Sequence, residues 1–124
     1  MGERRISIQW TETARRGLRK LPDRVRRGLL QKADTLYECD DPRRAFKPLV
    51  GPLQGYYAIK FSRYRAIYTV HDEQHPNGDT VCHIRICFVA AGIRKDADKG
   101  DVYRLAQRLV DLGVLEPDEK NDDD

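Results

Sequence analysis

Residues able to do chemistry in this chain are mostly cations: 23 lysines and arginines stand beside 20 acids, three histidines and three cysteines. Arginine keeps its charge at any relevant pH and presents a planar fork of donors, while lysine offers a compact point charge. Both suit phosphate groups. Histidine offers a second chemistry, because imidazole ordinarily titrates near ~6.5. His83 lies in an apolar run, where alternation with Cys82 and Ile84 sets it on one face with Val81, Arg85 and Cys87. It could act as a general acid or base there, but a structural histidine is the preferred reading. His71 and His75 fall in a polar stretch and are expected to be exposed. Cys39, Cys82 and Cys87 form no CxxC pair, and Cys82 and Cys87 should point to opposite faces of one strand. They read as free thiols of a reducing compartment. No His/Cys set has zinc spacing, so neither a metal nor a cofactor is expected.

The net charge of +3 hides an asymmetry. Residues 116–124 hold six of the acids and one lysine, so residues 1–115 carry 22 bases against 14 acids, a formal +8. A basic body suits a polyanion such as RNA or DNA, or an acidic protein partner. The acidic, apolar-poor end reads as a disordered tail over 116–124, and residues 1–115 as one domain with one modest core. No apolar stretch approaches the ~20 residues of a membrane span, and the opening MGERRISIQW lacks a signal-peptide core. A soluble, cytoplasmic protein without membrane contact is the expectation.

The elements that must position these cations follow from periodicity. Ile6, Ile8 and Trp10 alternate as a short opening strand. Thr11 is placed to cap a helix whose narrow stripe is Ala14, Leu18 and Leu21, interrupted by Pro22. A second helix carries Val25, Leu29, Ala33, Leu36 and Tyr37 on one face, completing a helical hairpin. Residues 40–52 contain three prolines and read as a connecting loop. After Gly55 the period becomes two, with Tyr57, Ile59 and Phe61 on one face and Ala58, Lys60 and Ser62 on the other. Residues 64–70 (YRAIYTV) and 80–90 (TVCHIRICFVA) give two further strands, separated by a polar connection with an Asn77-Gly78-Asp79 turn. A charged loop over 92–100 leads to a last helix at 101–112, burying Val102, Leu105, Ala106 and Leu109 and capped by Gly113. The fold class is α+β: an N-terminal strand, a helical hairpin, a three-stranded antiparallel meander and a C-terminal helix.

This order, with LRKLP at 18–22, KPLVGPLQGYYAIKF at 47–61, YRAIYTV at 64–70, and GIRK and DVY within 92–103, resembles the RelE/ParE toxin superfamily over about residues 6–112. Each motif is short; their joint order and spacing carry the likeness. The resemblance implies a type II toxin restrained by a cognate antitoxin. RelE-like members cleave messenger RNA, generally in the ribosomal A site, whereas ParE-like members block DNA gyrase and have no nuclease activity. The RelE-like branch is the favoured reading. A gyrase inhibitor, or an inactive toxin-fold binding protein, is the alternative.

Metal-free RNA cleavage needs a group to accept the 2′-hydroxyl proton, charge to stabilise the pentacoordinate phosphorus, and a proton for the leaving 5′-oxygen. The resemblance assigns these tasks residue by residue. Lys60 matches a lysine that stabilises transition-state charge, Arg65 an arginine that binds phosphate, and Arg94 an arginine of similar role. Tyr103 matches the tyrosine that acts as general base and stacks on a nucleobase. Two departures stand out. Ala58 occupies the position, two residues before Lys60, where the best-known RelE-like enzymes have a second lysine. Residues 95–100 also look longer than in those enzymes. Arg63, Lys95 and Lys99 could restore charge there and bind RNA.

Overall fold

The computed structural model describes residues 4–74, 82–95 and 101–112. Strand β1 (Arg4–Trp10) turns Ile6, Ile8 and Trp10 onto the main core, as their two-residue spacing requires. Thr11 then ends the strand. Its hydroxyl accepts the Ala14 N–H at 3.1 Å and caps helix α1 (Glu12–Arg19). Helix α2 (Asp23–Asp34) starts after Pro22 and tightens into a 3₁₀ turn (Thr35–Glu38). Val25, Leu29, Ala33 and Leu36 are buried as expected, but Tyr37 is 50% exposed. The 3₁₀ turn advances ~120° per residue, which rotates Tyr37 off the face that an α-helix would have kept.

Residues 40–52 are more ordered than a plain connecting loop. They hold a short helix α3 (Pro42–Ala45), a two-residue strand β2 (Lys47–Pro48) and a 3₁₀ turn (Gly51–Leu53). Strands β3 (Tyr56–Phe61), β4 (Tyr64–Gln74) and β5 (Cys82–Ile93) form the expected antiparallel meander. The sheet order is β1-β5-β4-β3-β2. Strand β1 lies parallel to β5, from Arg4 opposite Cys82 to Trp10 opposite Phe88, so β5 is an interior strand flanked by β1 and β4. Strand β4 runs past its expected end at Val70, pairing His71 with Arg85. His71 is therefore half-buried in a ladder, not exposed in a loop. His75, Val81, the Asn77–Asp79 turn, Lys99, the Gly113 cap and the 116–124 tail lie outside the described residues.

The two faces of the sheet carry separate cores. One joins α1 and α2 to Ile59, Tyr68, Ile84, Ile86 and Phe88. Tyr68 fills its centre, with rings of Tyr57 and Phe88 at 5.3 and 5.2 Å and its hydroxyl donating to Pro42 O at 2.8 Å. Burial disfavours the charged phenolate and pushes the pKa of that phenol well above its ordinary range. Trp10 stacks on Phe88 at 4.1 Å. Gly17 lets α1 touch the sheet, because a Cβ there would stand 2.1 Å from Ala91 O. The opposite core packs helix α4 (Val102–Leu112) on Leu53, Ala58, Ile67, Cys87 and Val89. Cys82 packs against the first core and Cys87 within the second, on opposite faces as expected, and all three cysteines are free thiols. No helix among the described residues is long and apolar enough to cross a membrane.

Candidate active site

On the α4 side of the sheet, an open cleft of about 600 Å³ lies between β2, the Gly51–Leu53 turn, β3, β4 and the start of α4. Lys60, Arg65, Arg94 and Tyr103 all line it, so the four residues singled out by resemblance meet in one place. Period-two alternation explains two of them. Lys60 and Arg65 are direct cross-strand partners, sharing the face of Ala58 and Ile67. A two-residue turn joins their strands, with Ser62 held at φ 57°, in the left-handed region.

Arg65 is the fixed point of the cleft. It is 8% exposed, and its Nη1 donates to Ser62 O and Tyr64 O at 2.9 and 3.0 Å. Its Nε donates to the Tyr103 hydroxyl at 3.1 Å. Burial makes such charge-assisted bonds expensive to break and fixes the guanidinium in one orientation. Lys60 is exposed, and its carbonyl, not its ammonium, takes the Lys32 Nζ donor at 2.7 Å. The described lining contains four cations, Lys47, Lys60, Arg65 and Arg94, and no acid. Such a surface attracts phosphate.

Asp101 sets where Tyr103 and Arg94 stand. It is 5% exposed and caps α4, accepting from Tyr103 N at 3.0 Å and Arg104 N at 3.2 Å. Its other oxygen accepts Lys95 N at 2.5 Å. One carboxylate thus ties the end of β5 to the first turn of α4. Across from it, Arg94 N donates to Arg63 O at 2.7 Å, anchoring the same segment to the β3–β4 turn. The expected helix begins at Asp101, whereas the structure starts it at Val102 and leaves Asp101 as its cap. An Asp just ahead of a periodic apolar run is a cap signal and could have revealed it.

The secondary candidates fare differently. Arg63 and Lys95 are exposed at the mouth, joined to the site through their backbones, and neither lines the cleft. Lys99 is outside the described residues. Ala58 is 3% exposed and forms part of the cleft wall. Lys47, which sequence reasoning did not single out, lies directly opposite Ala58 on β2 and lines the same cleft. Among the described residues no cluster of His, Cys, Asp or Glu could hold a metal ion.

The chain is similar to a chain of the RelBE2 toxin–antitoxin complex of Mycobacterium tuberculosis: 26% identity, a TM-score of 0.52, and coverage of 74% of this chain and 94% of that one. No curated protein matches it. The family model for the ParE toxin of type II toxin–antitoxin systems matches residues 8–85, more than half of the chain. The chain belongs to that toxin family, within the RelE/ParE superfamily.

Proposed function

We propose that this toxin cleaves messenger RNA on the ribosome, without a metal, leaving a 2′,3′-cyclic phosphate. A cognate antitoxin restrains it, as the solved relative is found in a complex of toxin and antitoxin. The observation that carries the reading is the Arg65–Tyr103 hydrogen bond inside a cleft lined otherwise by cations and apolar groups. In this scheme Tyr103 takes the 2′-hydroxyl proton, Arg65 holding its oxygen. Lys60 and Arg94 neutralise the phosphorane. Tyr103→Phe and Arg94→Ala should each lower cleavage in programmed ribosomes by roughly 10²-fold or more, measured well below the melting transition; Tyr103→Phe should also melt a few degrees lower, because the buried Arg65 Nε loses its acceptor. Full cleavage by both variants would refute the assignment.

One observation favours a second reading, a gyrase inhibitor. The matching family model is that of the ParE toxin, and its match ends at residue 85, before Arg94 and Tyr103. Of Lys60, Arg65, Arg94 and Tyr103, the matched part contains the first two. A supercoiling assay with purified protein separates the two: a ribonuclease leaves gyrase untouched.

A further inference from the structure

We infer that Lys47 is a catalytic residue, the proton donor to the leaving 5′-oxygen; this rests on the RNA-cleavage reading above. Cleavage by the neighbouring hydroxyl is an in-line displacement, so the base and the acid must stand on opposite sides of the phosphorus. Tyr103, bonded to Arg65, sits at the β4 side of the cleft. Lys60 stands across from Arg65 on β3, directly beside that pair, which suits it to the phosphorane charge more than to the far oxygen. Lys47 lies on β2, one strand further out and opposite Ala58, two residues along from Lys60.

Strand spacing of ~4.8 Å and a rise of ~3.4 Å per residue put its backbone roughly 8 Å from that of Lys60, within reach of a four-carbon stem. The pairing with Ala58 gives Lys47 the same face as Lys60 and Arg65. Ala58 itself is small and buried, so no side chain opposite occupies the space that the lysine needs. Lys47 is exposed and its ammonium bonds to no described residue. By contrast, Arg65 is committed at Nε and Nη1. An arginine cannot give up a proton at neutral pH, so neither Arg65 nor Arg94 fits the task.

The step balances. The O2′–P bond forms as Tyr103 phenolate takes the hydroxyl proton. The P–O5′ bond breaks as the Lys47 ammonium gives a proton to O5′, leaving a neutral amine and a tyrosine that reset by exchange with water.

The test is single-turnover cleavage on ribosomes programmed with messenger RNA carrying, in the A-site codon, either an ordinary linkage or one with sulfur in place of the bridging 5′-oxygen. A thiolate leaves without protonation, its thiol having an ordinary pKa near ~8.5. Lys47→Ala and Lys47→Arg should both slow the oxygen linkage roughly 10²-fold or more and the sulfur linkage less than about 10-fold. Lys47→Arg at wild-type speed on oxygen, or Lys47→Ala slowed equally on both linkages, would overturn the inference by assigning Lys47 to charge alone. Wild-type protein that cuts neither linkage would overturn the cleavage reading and the inference with it. Normal cutting by both variants would overturn the inference only.

Discussion

Asp101→Ala separates the stability of the last helix from the geometry of the cleft. The carboxylate accepts three backbone N–H groups, at 2.5 Å from Lys95, 3.0 Å from Tyr103 and 3.2 Å from Arg104. Losing a side-chain N-cap costs about 1 kcal/mol. Leaving the part-buried Lys95 N–H unpaired costs about 1–3 kcal/mol more. The sum, about 2–4 kcal/mol, corresponds to a melting temperature lower by roughly 10 °C in a chain of this size. Asparagine caps as well as aspartate but has a single carbonyl oxygen, so Asp101→Asn should keep the helix cap and lose the Lys95 bond, falling about midway. Cleavage should suffer beyond the loss of folded protein, since a displacement of ~1 Å in a positioned group can cost ~10² in rate. Thermal melts followed by circular dichroism, with cleavage measured well below the transition, read both effects. A melting temperature for Asp101→Ala within ~2 °C of wild type would refute the three-donor account.

Two further outcomes follow from packing and charge. Gly17→Ala should destabilise by about 1–3 kcal/mol in urea titration, because the new methyl meets Ala91 O at 2.1 Å and outweighs the ~0.5–1 kcal/mol gain in helix propensity; a more stable variant would contradict the close α1–β5 approach. Hydrogen bonds from Arg19 and Arg15 hold the Glu12 carboxyl below its ordinary 4.5, and bonds and charge from Arg27 depress Asp23. A depressed carboxyl contributes stability above its unfolded pKa that is lost as pH falls through the folded one. Glu12→Gln should therefore flatten the acid limb of the stability profile below about pH 5, and an unchanged limb would show that the exposed Glu12 ion pairs contribute nothing.

What periodicity can report was legible. Thr11 caps α1 because a hydroxyl ahead of an apolar stripe has few other uses, and Val25, Leu29, Ala33 and Leu36 fall where a 3.6-residue repeat puts them. Alternation separated Ile59 from Lys60, which fixed the face that Lys60 and Arg65 share. It could not name neighbours. Nothing local says that β1 runs parallel beside β5, since a strand's pattern records its faces and not its partner. For the same reason Lys47 escaped notice. Its strand is two residues long, bordered by Pro48, and its value comes only from lying opposite Ala58. The resemblance marked Ala58 as a missing lysine, while the register places a lysine across the ladder from that gap.

Fold likeness leaves the choice of activity to the end of the chain. Residues 8–85, matched by the toxin family, include the β3–β4 hairpin with Lys60 and Arg65, a cationic edge that serves a nuclease or a gyrase-binding surface equally well. Arg65 Nη1 is occupied in bracing the Ser62 and Tyr64 carbonyls, and that alone would account for its burial. Its Nε reaches beyond the hairpin to Tyr103, which stands at the right place because Asp101 caps α4 and ties down Lys95. A surface that only binds a partner needs cations in the cleft but has no need of a phenol oxygen held by one. On the proposed cleavage reading, the Asp101–Tyr103–Arg65 chain of contacts is the feature whose removal should abolish cleavage while leaving binding by the matched region in place.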